Sequence, residues 1–433
     1  MLKLLSRILN KAGRLAIESA RLVDKATTPQ VEVNVVESAD KIIYNEIPEI
    51  RPLPAKFSNE IEPRVVLLLP SLVPWGFYGG IATALLVGAK VALINKRRLL
   101  IVPTVTSGYT DKDKIISFYG SKEIDVSNLD ISILDVADRD GMHNDERLLV
   151  NKLDIFVASA WTDAWLINKL HLHHKFLYII QDYEPIFYAN SDRFIMAENT
   201  YRYDSYIPLC NTKLMHLNMV AKEYPAFLEF PYWFEPAVSN IKSGVATRNE
   251  KKNIFLYGRP SVARNLFYSV IAALKHIFEN NFLAPNEWNV FMAGQDNLPT
   301  IEIGRGCNIV NLGKMDIDAY IKFSKSIDVA ISLMMAPHPN YPTLEFASIG
   351  SAVVTTKYEV KKDLSFYSKN IFIADLNLES IIDNIVKAAN MPYETRISNL
   401  QNNNIESDWN TALDKVINNI SPEFTQLSNH YKS

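Results

Sequence analysis

From Arg64 onward, short apolar runs rich in Val, Ile and Leu alternate with stretches of helical period. Val65–Leu69, Leu99–Val102, Asp154–Ala158 and Phe176–Gln181 read as strands. Continuous apolar strands between helices predict a parallel sheet covered on both faces. A second series starts after about residue 250. It predicts strands Asn253–Tyr257, Trp288–Ala293, Asn308–Asn311, Asp328–Leu333 and Ala352–Thr355. Helices are predicted at Asn265–Phe278, Asp316–Lys325, near Thr343–Ile349, and over 378–390 and 409–420. The break between the series falls in the polar stretch SNIKSGVATRNEKKN. The expected domains are therefore 64–245 and 246–433, with the last helix free to cross back. Each is doubly wound α/β, and ligands of such sheets bind beyond the C-terminal ends of the strands.

The segment ahead of Arg64 has a different pattern. Lys3, Arg7, Lys11, Arg14, Arg21 and Lys25 fall on one face of a helix over 1–25, and Leu5, Leu9, Ala12, Ala16, Ala20 and Val23 line the other. The recurring charges break any signal-peptide core. Such a basic amphipathic helix can lie in a membrane interface. Residues 26–63 read as a linker, with Pro48, Pro52 and Pro54 in its second half. Val65 to Ala89 is uncharged over 25 residues, long enough to span a bilayer. Pro70, Pro74 and Gly79-Gly80 interrupt it, however, so it reads as strand, loop and helix.

Composition narrows the function. With 48% hydrophobic and 21% charged residues in 433, the chain is an ordinary globular protein of two or three domains. A net charge of −3, spread evenly over the chain, argues against a nucleic-acid partner. Cys210 and Cys307 are the only cysteines, too few for a disulfide framework or a cysteine-rich metal module. His171, His173 and His174 lie close together, but no second ligand cluster accompanies them, so no metal and no cofactor is expected. Glycine-rich dinucleotide, phosphate-loop and nucleophile-elbow motifs are absent.

Candidate chemistry lies just after the strands. In NIFLYGRPSVARNLF, Arg259 and Arg264 sit on a loop that enters a helix, and two guanidiniums there can grip a diphosphate. In APHPNYPTLEFASIG, a helix start would leave the amides of Tyr341, Thr343 and Leu344 unpaired. Glu345 can accept two sugar hydroxyls. Gly79 and Gly80 between the first strand and its helix permit close approach of a ligand. In KFLYIIQDYEPIFY, Asp182 and Glu184 follow a strand directly and are the candidate catalytic carboxylates.

This ordered set resembles the nucleotide-binding half of GT-B glycosyltransferases, most closely the large retaining family 4. The resemblance implies two Rossmann-like domains facing across a cleft. It implies that Arg259 and Arg264 hold the donor diphosphate without a metal and that Glu345 binds the donor ribose. Leu312-Gly313-Lys314-Met315 matches the loop beside the nucleobase, which places Gly313 and Met315 there. One departure stands out: the family's first glutamate falls at Pro337, with His338 beside it. That implies a different sugar, such as a deoxy sugar with fewer hydroxyls. The runs IIQDYEPIFY, GRPSVARN and PHPNYPTLE resemble rhamnosyltransferases of bacterial rhamnan-type surface glycans, which use dTDP-rhamnose.

The expected function is transfer of rhamnose from dTDP-rhamnose, with retention, to a growing surface polysaccharide or lipid-linked glycan. The expected location is the cytoplasm, against the inner face of the membrane. Two alternatives remain open at this point: a sugar-nucleotide epimerase of the same fold, and a non-catalytic two-domain sugar-binding protein.

Overall fold

The computed structural model describes residues 38–73, 77–108, 111–139, 147–238, 247 and 250–425. The basic stretch 1–25 lies outside them. The chain divides into a unit ending at Pro48 and a unit from Glu49 to the C-terminus. In the first, the helix Ala39–Glu46 is capped by Ser38, whose hydroxyl accepts from the Lys41 amide.

The second unit holds two seven-stranded sheets. Its first strands are β1 (Ala55–Phe57), β2 (Val65–Ser71), β3 (Leu99–Thr106), β4 (Ile131–Ile133), β5 (Leu148–Val150), β6 (Ile155–Ala158), β7 (Phe176–Ile180), β8 (Tyr206–Asn211) and β9 (Trp233–Phe234). The N-terminal sheet has the order β4-β3-β2-β6-β7-β8-β9 and is wholly parallel. Val65 to Leu69 are all buried, as a central strand covered on both faces requires. The helix Gly79–Ile94 covers one face and is itself buried from Thr83 to Ala92. The second half of the expected linker is structured. β1 pairs in parallel with β5, and Leu53 joins the N-terminal core. The prolines there punctuate a segment in which Ile50 and Leu53 are buried and Phe57 is exposed.

The C-terminal strands are β10 (Lys252–Tyr257), β11 (Trp288–Ala293), β12 (Ile301–Glu302), β13 (Asn308–Asn311), β14 (Val329–Ile331), β15 (Ala352–Thr356) and β16 (Ile371–Ala374). Their order is β12-β13-β11-β10-β14-β15-β16, parallel except for the β12–β13 pair. The last helix, Trp409–Ile420, packs into the N-terminal core through Trp409, Leu413, Val416, Ile417 and Ile420. Lys90 anchors it, donating to Asn410 Oδ1 at 2.6 Å and pairing with Asp414 at 2.7 Å.

The strand orders locate the cleft. In the N-terminal sheet the chain runs outward from β2 and returns on its other side at β6. In the C-terminal sheet the same reversal separates β10 from β14. Ligands of open α/β sheets bind at these reversals.

Candidate active site

The loop after β10 and the loop after β14 flank the C-terminal reversal. The first carries Arg259 and Arg264. Leu266 turns the chain through a left-handed φ of 52°, so the helix starts at Phe267 rather than Asn265. The Arg264 side chain packs its guanidinium over the Phe187 ring, 4.1 Å from the centroid. Its Nε lies 3.7 Å from Asp182 Oδ2 of the N-terminal domain and has no hydrogen-bond partner. Burial, opposed by the Asp182 charge, holds the Arg264 pKa below its ordinary value. Arg259, half-buried like Arg264, donates to the Tyr257 hydroxyl at 3.3 Å.

The loop after β14 is tightly held. Met335 N–H donates to the Arg264 carbonyl, so the two loops are tied together. Thr356 Oγ1 accepts from the Met334 amide and donates to its carbonyl, at 3.1 and 3.0 Å. Asn340 Nδ2 reaches Ser332 Oγ at 2.8 Å. Lys361, fully buried, donates to the carbonyls of Met334 at 3.0 Å and His338 at 3.3 Å. Burial pulls the Lys361 pKa down to about 7, against the opposing pull of Asp182. The short helix Tyr341–Ala347 follows, entered through Asn340 at φ 77°. The Leu344 amide reaches the Asn340 carbonyl at 3.4 Å, so it is an intrahelical donor and not an unpaired one. The Thr343 side chain is buried, and its hydroxyl lacks a partner. Glu345 sits in the second turn and accepts from the Tyr320 hydroxyl at 2.9 Å. Burial raises its pKa, while that bond and the charge of Lys122 lower it.

On the N-terminal side, Gly79 opens its helix at φ 50°, a conformation glycine adopts without strain. Gly80 lies beside Gln181, whose amide would meet a Cβ there at 3.3 Å. Thr83 Oγ1 and Asn211 Nδ2 both reach the Tyr341 hydroxyl across the cleft, at 2.6 and 3.1 Å. Asp182 is buried. Oδ1 accepts from the Tyr183 amide and Oδ2 faces Arg264. Burial raises its pKa, and Arg264 and Lys361 lower it. Glu184 turns the other way. Oε2 accepts from the Trp161 amide at 3.0 Å, capping the helix Trp161–Asn168, and Oε1 accepts from the Tyr178 hydroxyl at 3.3 Å. Both oxygens are engaged inside the N-terminal domain.

Two domain signatures match the chain in order: residues 64–213 match the N-terminal domain of WsaF and residues 252–386 its C-terminal domain, together about two thirds of the chain. The chain carries both WsaF domains. It is 28% identical over 277 residues to the O-antigen biosynthesis protein RfbC of Myxococcus xanthus; the match takes in 62% of the chain but only 21% of that relative's length. The fold is that of the GT-B glycosyltransferases. Anabaena HepE, solved with UDP and glucose, superposes with a TM-score of 0.57 at 12% identity, over 83% of this chain and all of that one. WaaG, a glycosyltransferase involved in lipopolysaccharide biosynthesis, does so at 0.53 and 13%, over 81% and 99%.

The WsaF N-terminal domain thus brings Gly79, Gly80 and Asp182 to the cleft, and the C-terminal domain brings Arg259, Arg264 and Tyr341. Gly313, at φ 67°, closes the loop after β13, where a Cβ would meet Asp296 Oδ1 at 2.7 Å. Met315 packs on the edge of the C-terminal core. Sequence reasoning missed Thr83, Asn211 and Lys361. Lys361 follows a strand, as the other candidates do, but in YEVKK it reads as one of two solvated lysines. Among the described residues, no group of three or more potential metal ligands and no helix long and apolar enough to cross a membrane is present.

Proposed function

We propose that the chain is a glycosyltransferase that moves a deoxyhexose, rhamnose, from dTDP-rhamnose to a growing surface polysaccharide with retention at the anomeric carbon. The observation that carries this reading is the convergence of Arg259 and Arg264 at the strand reversal of the C-terminal sheet, opposite Asp182. A diphosphate leaving group needs positive charge aimed at its oxygens, and two guanidiniums supply it by paired hydrogen bonds. The donor diphosphate takes Arg264 from Asp182. The glycosidic C–O bond to phosphate breaks, a new one forms to an acceptor hydroxyl on the same face of the sugar, as retention in one step requires, and the hydroxyl proton passes to Asp182 beside the departing diphosphate. Burial suits that carboxylate to accept a proton. Glu184, with both oxygens engaged, supports the loop from beneath. Glu345 and Tyr341 orient the nucleotide sugar, with Thr343 and Leu344 shaping the helix that carries them. Gly313 and Met315 border the base.

The relatives support the reading by their own descriptions: one belongs to O-antigen synthesis, one was solved with UDP-glucose, and one acts in lipopolysaccharide synthesis. Calorimetry with dTDP-rhamnose, UDP-glucose and a GDP-hexose, with NMR of the product's anomeric proton, tests donor and stereochemistry. The combined Arg259→Ala and Arg264→Ala variant is expected to bind the donor about 100-fold or more weakly, since each charged hydrogen bond contributes roughly 1.5–3 kcal/mol. Undiminished affinity would place the diphosphate elsewhere.

A further inference from the structure

In the loop after β14 one polar group stands apart. His338 is buried, 4% exposed. Its Nδ1 accepts from the Asn340 amide at 2.9 Å. An imidazole nitrogen that accepts carries no proton, so in the neutral ring the proton sits on Nε2. That Nε2–H is buried and has no partner. The backbone around it is engaged at Met334, Met335, His338 and Asn340, as described above, so the ring is fixed by its surroundings. Buried donors without partners are uncommon, and one on a rigid loop calls for an explanation.

The surroundings also fix its charge state. The Lys361 ammonium holds the His338 carbonyl at 3.3 Å. Burial first, and that cation second, push the imidazole pKa down to about 3. His338 is therefore a neutral N–H donor across the physiological range. It is also close to the cleft, because its ring lies 5.5 Å from that of Tyr341, whose hydroxyl bonds Thr83 and Asn211 of the opposite domain.

We propose that His338 determines sugar specificity, its Nε2–H donating one hydrogen bond to an oxygen of the transferred sugar. This rests on the nucleotide-sugar reading above and refines it. An imidazole N–H contacts a single oxygen and accepts nothing, because Nδ1 is already engaged. A sugar that turned an extra hydroxyl hydrogen toward this spot would find no acceptor, and burying it unpaired is unfavourable. A 6-deoxyhexose, with a methyl group in place of one hydroxymethyl, has one hydroxyl hydrogen fewer to satisfy, which is compatible with such a site.

The test separates nucleotide from sugar. dTDP and dTDP-rhamnose are titrated into wild type, His338→Ala and His338→Gln, with thermal melts to confirm folding. In wild type the sugar adds affinity over dTDP alone. His338→Ala is expected to keep dTDP affinity and to bind dTDP-rhamnose about five- to tenfold more weakly, the scale of one neutral hydrogen bond. His338→Gln, which restores an N–H donor, recovers part of that loss. If the alanine variant leaves the dTDP-rhamnose to dTDP ratio unchanged, His338 does not touch the sugar and the proposal is overturned while the nucleotide site stands. Loss of dTDP affinity in equal measure would also overturn it, because it marks a purely structural role. If wild type binds neither ligand, the underlying donor reading falls and takes this one with it.

Discussion

Glu184 is the residue whose chemistry departs most from its position in the sequence. QDYE presents two carboxylates at a strand end, and both qualify as catalytic. The structure separates them: Asp182 faces a cation across the cleft, and Glu184 caps a helix from inside the core. Nothing in the spacing could show this, because the turn after β7 decides which way each side chain points. Burial raises the Glu184 pKa to about 8, from an ordinary value of 4.5. The native state therefore holds a proton that the unfolded chain releases between pH 4.5 and 8. In that window stability falls as pH rises, by up to ~1.4 kcal/mol per pH unit from this group. Glu184→Gln removes the titration. Urea unfolding at pH 5, 6.5 and 8 should show the variant gaining on wild type at each step, and parallel curves would mean that Glu184 is ionised in the fold. The place of Arg259 and Arg264 in a loop after a strand was legible, though not that Arg264 would reach Asp182. Lys361 was not, since burial of a lysine is a property of the neighbours that cover it.

Strands β2, β3 and β7 were legible because each carries a continuous apolar run, and β10 and β11 because each ends in one. β8 was not. Its sequence, YIPLCN, contains Pro208, which normally argues against an inner strand. β9 pairs only with Cys210 and Asn211, so the flank beside Pro208 is open and a missing N–H is tolerated there. β9, only two residues long, is too short to stand out. The last helix was legible as a helix, since its apolar residues recur at three and four, and its return to the N-terminal domain was among the expectations. Leu413 is fully buried in the N-terminal core, so the end of the chain depends on packing formed near its start. Leu413→Ala is expected to cost about 2–5 kcal/mol. Hydrogen exchange should show loosening along Trp409–Ile420 and the facing helix Gly79–Ile94, with the C-terminal sheet unchanged. Exchange that rose in the C-terminal sheet alone would refute the crossing.

At the scale of the molecule, the two sheets are joined by polar contacts as well as by the last helix. Among the described residues, the Tyr341 hydroxyl joins Thr83 and Asn211, Arg264 faces Asp182, Lys222 pairs with Glu359, and Tyr367 donates to Glu235. Interfaces of this kind within one chain permit relative motion by default, so these contacts set the balance between open and closed arrangements. On the proposed reading they also involve residues that a donor would meet, which would couple closure to binding. Tyr341→Phe keeps the ring against His338 but removes both hydrogen bonds, leaving Thr83 its bond to the Gly79 carbonyl and Asn211 Nδ2 without its Tyr341 partner. At roughly 0.5–1.5 kcal/mol per bond, loss of the two should make closure about five- to 150-fold less favourable. The expected result is faster amide exchange in the loops around Gly79 and His338, and a KM for the donor raised about three- to tenfold. The rate at saturation should change less, because bound donor restores the closed arrangement. If the rate at saturation fell while KM held, the Tyr341 hydroxyl would instead belong to the reacting groups, and closure would have to be governed by the other bridging pairs, Arg264 with Asp182 and Lys222 with Glu359.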